Sequence, residues 1–236
     1  MSDKMALEQL RDTVTSILDP LVGKLGFLNP NHISWFSLVV AGFAAWLFAT
    51  AGGDKAGGML LFAAVGLTAF AAICDALDGQ IARKYNKASA YGDYLDHTID
   101  RIVDVGVLVA IGLNATWIDS PHLGYLAGLT TLLGSYMGTQ AQSVGLGRNY
   151  RGFSRADRLM MIVIGGLIAG WQAISGTSGI GEIPIFGGQY NGMSTVLVIA
   201  LLGGIYTFVV RFISARKQLI FESDAPQGGD DGNEEN

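Results

Sequence analysis

The sequence DALDGQIAR at residues 75–83 is followed, after eight residues, by GDYLDHTID at residues 92–100. These segments place four aspartates, Asp75, Asp78, Asp96 and Asp100, where long apolar stretches meet. Residues three or four positions apart share one face of a helix, so each segment presents a pair of carboxylates. An unpaired aspartate costs roughly 2.5 to 3.5 kcal/mol at the centre of a membrane helix, so the four need a cation or a shallow, wet position. The pattern predicts two facing pairs of carboxylates that bind divalent metal.

Composition indicates an integral membrane protein. Half of the 236 residues are hydrophobic, and the mean hydropathy is +0.38. Six apolar segments have the roughly 17 to 25 residues that a transmembrane helix needs, at about 33–51, 57–81, 94–115, 123–145, 157–175 and 192–213. The expected fold is all-α and polytopic, with six transmembrane helices after an N-terminal amphipathic helix.

The placement of basic residues predicts the orientation in the membrane. If the N-terminus is cytoplasmic, every lysine and arginine except Lys55 falls on the inner side of the six spans. Such a bias marks cytoplasmic loops. We therefore expect a cell-membrane protein whose two termini and whose aspartates lie at the cytoplasmic face.

The two ends of the chain differ in character. Apolar residues recur at helical spacing before Pro30, which predicts an amphipathic helix within residues 1–30, either on the inner leaflet or packed against the bundle. Six of the 20 acidic residues lie between Glu222 and Asn236 and dominate the formal charge of −5. The chain is thus expected to comprise a membrane domain at 1–218 and an acidic, disordered tail at 219–236.

The aspartate motif resembles the signature of the CDP-alcohol phosphotransferases, D-x2-D-G-x2-A-R-x8-G-x3-D-x3-D, at every fixed position. The resemblance implies transfer of a phosphatidyl or archaetidyl group from a CDP-activated lipid to the hydroxyl of a small polar alcohol, with release of CMP. It also implies a two-metal site for Mg²⁺ or Mn²⁺ and, typically, a homodimer. No nucleic acid partner is expected.

The resemblance also assigns roles to individual residues. Asp75, Asp78 and Asp96 are the metal ligands, and Asp100 is the general base that also contributes to the metals. Around CDP the resemblance implies small residues that allow close approach, a guanidinium for phosphate, and a Pro-Asn-x-x-Ser segment that leads into the first span. The residues expected to bind CDP are Asp78, Gly79, Ala82, Arg83, Gly92, Asn31 and Ser34. Local sequence alone favours a different role for Asn31, the N-cap of that first helix.

The acceptor site is expected among arginines that follow the fourth span and close the sixth: Arg148, Arg151, Arg155, Arg158 and Arg211. Anchoring at the inner face explains such arginines, and the alternative is a pocket for the phosphate of the acceptor. Family members that use inositol phosphate carry Ser-Tyr-x-Lys-x-Arg-x-Glu, whereas this chain has SYMGTQAQ at 135–142. Gln140 and Gln142 can bind hydroxyls of another head group. Glycerol phosphate is therefore expected first, inositol phosphate second, and serine or another small alcohol third.

Two alternatives belong to other classes of protein. A divalent-cation transporter also carries intramembrane carboxylates, but it should carry them through the depth of the membrane. The acids here gather at one face, while Asp54, Asp119 and Glu182 are isolated on the other. A catalytically silent scaffold would not need the complete set of four aspartates.

Overall fold

The computed structural model describes residues 18–147, 151–177 and 179–224, and within these it is built from helices. The first helix, α1, includes residues 18–25. The others are α2 Pro30–Thr50, α3 Lys55–Lys84, α4 Ala90–Gly112, α5 His122–Ser143, α6 Arg155–Ser175 and α7 Gly192–Asp224. Each of the six apolar segments predicted from the sequence corresponds to one of the helices α2 to α7, and the segments at 33–51, 94–115 and 123–145 end one to three residues beyond their helices. The all-α prediction is therefore confirmed.

Four of these helices, α2, α3, α6 and α7, are long and apolar enough to cross a membrane. The helices α4 and α5 are of similar length, with 23 and 22 residues, but they are more polar. The first half of α4 carries the second aspartate motif, and α5 is rich in glycine, serine and threonine. Both helices line the polar end of the bundle, where the aspartates lie. This position explains why α4 and α5 contain more polar residues than the other four helices. That they also span the membrane remains a prediction.

The helices pack around an apolar core, and the end of the bundle that carries the aspartates is polar. The pairs α2–α3, α5–α7 and α3–α6 make the most extensive contacts. Away from the aspartates the core is apolar and includes Phe48, Leu61, Ile111 and Leu197, each essentially inaccessible. Many large apolar side chains point outward instead, including Trp46 and Trp171. An apolar surface of this extent is typical of a protein that contacts lipid.

The described part of α1 packs against the polar end of the bundle. Leu18 and Val22 are buried against Leu77 and Ile81 of α3. The chain after α1 is held by Lys87, whose ammonium donates to two backbone carbonyls at 2.8 and 2.9 Å. The packed alternative therefore describes residues 18–25, and the amphipathic pattern further upstream lies outside the described residues.

The last helix is longer than its predicted span. The sixth span was expected to end at residue 213, but α7 continues to Asp224 and so includes the start of the predicted acidic tail. The remainder of that tail, residues 225–236, lies outside the described residues.

Candidate active site

Three aspartates converge where the C-terminal part of α3 faces α4. Asp75, Asp96 and Asp100 each offer a carboxylate oxygen, and these oxygens lie within 4.8 Å of one another. The turn between the helices is short, and Ser89 caps the start of α4 by accepting a hydrogen bond from Gly92 N at 3.0 Å. The turn thus brings Asp75 close to Asp96 and Asp100, which lie 21 and 25 positions further along the chain.

The fourth aspartate of the motif, Asp78, is buried nearby but makes a different contact. Its carboxylate accepts a hydrogen bond from the Ser34 hydroxyl of α2. It is not among the three groups whose oxygens converge. Asp78 therefore connects the predicted metal ligands to the helix that carries Asn31 and Ser34.

A cavity of about 450 Å³ opens on one side of the converging carboxylates, and we call it the α3–α4 cavity. Asp75 and Asp96 contribute to its wall. It is also lined by all seven residues that were predicted to bind CDP: Asn31, Ser34, Asp78, Gly79, Ala82, Arg83 and Gly92. Residues from three helices that are far apart in sequence thus surround one space.

Asn31 is free to face this cavity because another residue caps α2. The side chain of Asn29 accepts a hydrogen bond from Asn31 N at 3.0 Å, with Pro30 in the first turn. The expectation that Asn31 is the N-cap is therefore wrong. The reason is local: proline is favoured in the first turn of a helix, which moves the cap to the residue before it.

A second cavity, of about 510 Å³, lies on the other side of the carboxylates, and we call it the arginine cavity. Asp100 lines it together with four arginines from three helices, Arg101, Arg155, Arg158 and Arg211. Hydroxyl and amide groups complete much of the wall, including Thr131, Ser135, Thr139 and Gln142. An arginine-rich wall of this kind suits a phosphate group that carries hydroxyls nearby.

The structure divides the residues that were predicted to bind the acceptor. Gln142, Arg155, Arg158 and Arg211 line the arginine cavity. Gln140 is exposed outside it, and its side-chain oxygen accepts a hydrogen bond from the Tyr136 hydroxyl at 3.0 Å. Arg151 is not part of the cavity lining, although its carbonyl accepts from Arg211 Nε at 2.9 Å. Arg148 lies outside the described residues.

Arg101 was not predicted as part of the acceptor site, and neither were His97 and Ser135, which also line the cavity. The guanidinium of Arg101 donates to the Ser135 hydroxyl of α5 and lies 3.7 Å from Asp100. The available signal was helical spacing, because Asp100 and Arg101 lie three and four positions after His97 and so share its side of the helix.

Asp104 lies one turn beyond Asp100 and contacts three of the four arginines. It forms a buried ion pair with Arg158, and its oxygens lie 3.6 Å from Arg155 Nε and 3.9 Å from Arg101 Nη1. Asp104 therefore binds arginines of two helices, α4 and α6. Asp93, which also lies on α4 outside the aspartate motif, lines the α3–α4 cavity.

Arg155 lies among the converging carboxylates themselves. Its Nη1 atom is 2.7 Å from Asp75 Oδ2, to which it donates a hydrogen bond, and 2.7 Å from Asp100 Oδ1. Asp100 Oδ1 is buried and accepts no hydrogen bond from the described residues. The N-terminus of α6 is fixed by a reciprocal capping box between Ser154 and Asp157, which holds the backbone of Arg155 in place.

The loop before α6 depends on a glycine. Gly152 has φ +102°, and a Cβ atom there would lie 3.0 Å from Thr207 Cα of α7. Phe153 N donates to the Thr207 hydroxyl at 2.8 Å, so this loop joins α6 to α7 beside the arginine cavity.

Replacing Gly152 with alanine is expected to destabilise the protein by about 1 to 3 kcal/mol, because the side chain adds backbone strain and meets Thr207. Thermal unfolding in detergent measures this loss. Gly147→Ala is the matched control, since among the described residues no atom beyond its chain neighbours lies within 4 Å of the position that a Cβ would take there. An unchanged melting temperature for Gly152→Ala would contradict this account of the loop.

Comparison with known proteins identifies the family to which this arrangement belongs. Residues 27–185 match the model of the CDP-alcohol phosphatidyltransferases. The chain belongs to this family. It is a transferase of phospholipid biosynthesis, as the aspartate motif predicted.

Two similar proteins are archaetidylinositol phosphate synthases. The archaetidylinositol phosphate synthase of Methanothermobacter thermautotrophicus is 32% identical over 161 residues, which cover 68% of this chain and 77% of the relative. The archaetidylinositol phosphate synthase of Pyrococcus horikoshii is 31% identical over 223 residues, which cover 92% of this chain and 94% of the relative. The similarity to the second relative thus extends across nearly the whole transferase.

Crystal structures of the Mycobacterium tuberculosis phosphatidylinositol phosphate synthase have the same fold. The structure with CDP-DAG bound has a TM-score of 0.66 and 22% identity, and the match covers 85% of this chain and 94% of that chain. The structure in complex with manganese and citrate has a TM-score of 0.65 and 21% identity, with 84% and 88% covered. At this identity the likeness shows the fold of the transferase and no more.

Proposed function

We propose that this transferase moves a phosphatidyl or archaetidyl group from a CDP-activated lipid to a phosphorylated polyol and releases CMP. The observation that carries the proposal is the position of the converging aspartates between two cavities. Asp75 and Asp96 face the α3–α4 cavity, whereas Asp100 faces the arginine cavity. A donor in the first cavity and an acceptor in the second would meet at these carboxylates.

The carboxylates fit a divalent cation such as Mg²⁺ or Mn²⁺. Both ions prefer oxygen ligands, and the converging groups offer three carboxylate oxygens. One of the three residues, Asp100, also has a buried oxygen that accepts no hydrogen bond from the described residues, and its close neighbour is the cationic Arg155 Nη1 at 2.7 Å. Asp75, Asp96 and Asp100 would hold metal, with Asp78 beside them as the remaining predicted ligand. Bound metal would neutralise charge on the pyrophosphate and on the departing CMP.

The protein groups then have distinct tasks in the transfer. Arg83 and the Asn31 side chain bind the CDP part in the α3–α4 cavity, where Gly79, Ala82 and Gly92 leave room for the nucleotide. Asp100 accepts the proton of the acceptor hydroxyl. The oxygen of that hydroxyl forms a bond to the phosphorus of the lipid phosphate. The bond between that phosphorus and the CMP oxygen breaks, and CMP leaves with the electron pair.

Inositol phosphate takes first place among the proposed acceptors, ahead of glycerol phosphate. The relatives named above are archaetidylinositol phosphate synthases and a phosphatidylinositol phosphate synthase. The arginine cavity supports a phosphorylated acceptor, and its hydroxyl-bearing wall suits a polyol. The absence of the Lys-x-Arg-x-Glu residues at 138–142 favoured glycerol phosphate from sequence alone. In the structure, however, the Nη1 atom of Arg211, a residue already expected at the acceptor site, lies 3.0 Å from the position that a Gly138 Cβ would take, so a guanidinium from α7 reaches this part of the cavity.

The same proposal includes the membrane arrangement. The helices α2 to α7 span the membrane six times, with the aspartates and both termini on the cytoplasmic side, as the distribution of lysine and arginine indicates. Lipid tails of the donor remain in the bilayer while its CDP group reaches the α3–α4 cavity. The homodimer typical of the family is proposed on the resemblance alone.

A cation transporter fits the structure less well. Between the aspartates and the opposite end of the bundle lies the apolar core around Phe48, Leu61 and Ile111. A second polar cavity, of about 520 Å³, lies near Asp119 at that opposite end. Within the described parts of the chain, carboxylates thus gather at one end of the core and do not continue through it.

An acceptor panel tests the proposal. Purified transferase is incubated with a CDP-lipid carrying ester or ether tails, Mg²⁺ or Mn²⁺, and inositol phosphate, glycerol phosphate, inositol or serine, and CMP release is followed. We expect release that requires metal and is fastest with inositol phosphate. Release that is fastest with an unphosphorylated alcohol would contradict the phosphorylated acceptor. Metal uptake into vesicles without CMP release would favour the transporter.

Arg211→Gln tests the arginine cavity separately. We expect the KM for the phosphorylated acceptor to rise by about 10-fold or more, because a charge-assisted hydrogen bond to phosphate contributes roughly 1.5 to 3 kcal/mol. The KM for the CDP-lipid should stay within about twofold, since Arg211 lies outside the α3–α4 cavity. Steady-state kinetics with each substrate varied in turn make the measurement. A larger change in the CDP-lipid KM than in the acceptor KM would reverse the proposed assignment.

A further inference from the structure

Arg155 occupies the space between two of the carboxylates that are proposed to hold metal. Its Nη1 atom lies 2.7 Å from both Asp75 and Asp100. The same side chain also lines the arginine cavity, where the acceptor phosphate is proposed to bind. One guanidinium therefore borders both the metal ligands and the acceptor site.

A metal ion and Arg155 cannot both use these two carboxylates fully. A carboxylate oxygen that binds a divalent ion loses much of its attraction for a guanidinium, and the two cations repel each other at short range. Metal binding should therefore release Nη1 from Asp75 and Asp100. Asp104, 3.6 Å from Arg155 Nε, can keep the base of the guanidinium in place while its end turns toward the arginine cavity.

The neighbouring arginines are held differently. Arg158 pairs with Asp104 and donates to the Phe153 carbonyl at 3.2 Å, and Arg211 donates to the carbonyls of Gly134 and Arg151 at 2.9 Å each. None of these partners is a predicted metal ligand. Arg101, which donates to Ser135, lies 3.7 Å from one such ligand, Asp100. Arg155 is thus distinguished among the arginines of the cavity by direct contact with two such ligands.

We propose that Arg155 is shared between the two sites: it neutralises Asp75 and Asp100 in the metal-free transferase, and it binds the acceptor phosphate once metal is present. The inference rests on the proposed function, because it assumes metal at the aspartates and phosphate in the arginine cavity. Its consequence is that metal and acceptor phosphate bind cooperatively. By linkage, phosphate must then raise the affinity for metal by the same factor by which metal raises the affinity for phosphate.

Mn²⁺ binding tests this coupling without requiring turnover. The concentration of free Mn²⁺ is followed by electron paramagnetic resonance in the full-length transferase in detergent, at fixed pH and ionic strength. The titration is run with and without saturating inorganic phosphate, after correction for the Mn²⁺ that phosphate binds in solution. For the native protein we expect phosphate to increase the Mn²⁺ affinity at least fivefold, the lower end of typical coupling between sites.

Arg155→Gln should bind Mn²⁺ about 10-fold more tightly than the native protein without phosphate, because the internal competitor is gone. Phosphate should then change its Mn²⁺ affinity less than twofold. Arg211→Gln is the matched control: it removes a cavity arginine that contacts no predicted metal ligand, so its Mn²⁺ affinity without phosphate should remain native and its phosphate coupling should persist at saturation. Equal Mn²⁺ affinity in the native and Arg155→Gln proteins, or undiminished coupling in Arg155→Gln, would overturn the proposal.

Arg155→Lys provides a second test that does not depend on the folding of the glutamine variant. It keeps a cation, but a lysine ammonium lacks the planar fork of arginine. Its coupling should fall below the native value, and native coupling would contradict the proposal. The panel assay for CMP release is read separately. Coupling without CMP release would support the Arg155 inference and contradict the proposed function. CMP release without coupling would support the proposed function and contradict the Arg155 inference.

Discussion

Replacing Asp100 with asparagine is expected to lower kcat by about 10²- to 10⁴-fold, the usual contribution of a general base. Asparagine has nearly the same shape but cannot accept the proton of the acceptor hydroxyl. Asp75 and Asp96 would still hold metal beside the α3–α4 cavity, which Asp100 does not line, so CDP binding in the presence of Mn²⁺ should stay within a few-fold of the native value. CMP release at saturating substrates and CDP binding by calorimetry measure the two effects.

Asp93→Asn is the matched control for this prediction. Asp93 is an exposed aspartate on the same helix, outside the motif and outside the converging group. Its substitution should reduce kcat by less than about fivefold, because it removes a charge near the site but neither the base nor a metal ligand. Loss of CDP binding in Asp100→Asn as large as the loss of turnover would contradict the role of Asp100 as a base.

Asp75→Asn is expected to abolish both metal-dependent CDP binding and turnover. The substitution removes one of three converging oxygen ligands and leaves the half-buried Arg155 without its closest hydrogen-bond acceptor. We expect CDP affinity in Mn²⁺ to fall by at least about 10-fold, a loss of roughly 1.4 kcal/mol or more. CDP affinity in the presence of EDTA should change little.

The comparison between the two aspartates makes this second prediction specific. Calorimetric CDP titrations of Asp75→Asn and Asp100→Asn, each with Mn²⁺ and with EDTA, give four affinities to compare. The division of roles requires the Mn²⁺-dependent part of CDP affinity to be lost in Asp75→Asn and largely retained in Asp100→Asn. Native CDP affinity for Asp75→Asn in Mn²⁺ would show that this carboxylate does not hold metal next to the nucleotide.

Much of this site could be predicted because the information is local in sequence. The apolar segments give the positions of α2 to α7, and the spacing within the aspartate motif gives two helical faces that a short turn must bring together. The residues assigned to CDP lie in or beside that motif, apart from Asn31 and Ser34, and all of them line one cavity. For the CDP half of the site, most residues that are close in sequence are therefore also close in the structure.

The acceptor half could not be predicted to the same depth, because it is assembled by packing between distant helices. The spacing of Arg155 and Arg158 is typical of membrane-anchoring arginines, and nothing in the sequence places Arg155 between Asp75 and Asp100. Gln140 and Gln142 are only two residues apart, yet they face different directions on α5, and only Gln142 lines the cavity. Which face of α5 meets α7 depends on side-chain packing that the periodicity of the sequence does not specify.

The most direct test of the central claim is to locate Mn²⁺ in crystals of the transferase soaked with Mn²⁺ and CDP. The account predicts anomalous difference density within bonding distance of carboxylate oxygens of Asp75, Asp96 and Asp100, with the CDP diphosphate in contact with the ion and the cytidine in the α3–α4 cavity. Manganese bound elsewhere, or CDP seated away from these carboxylates in a protein that still releases CMP, would contradict it.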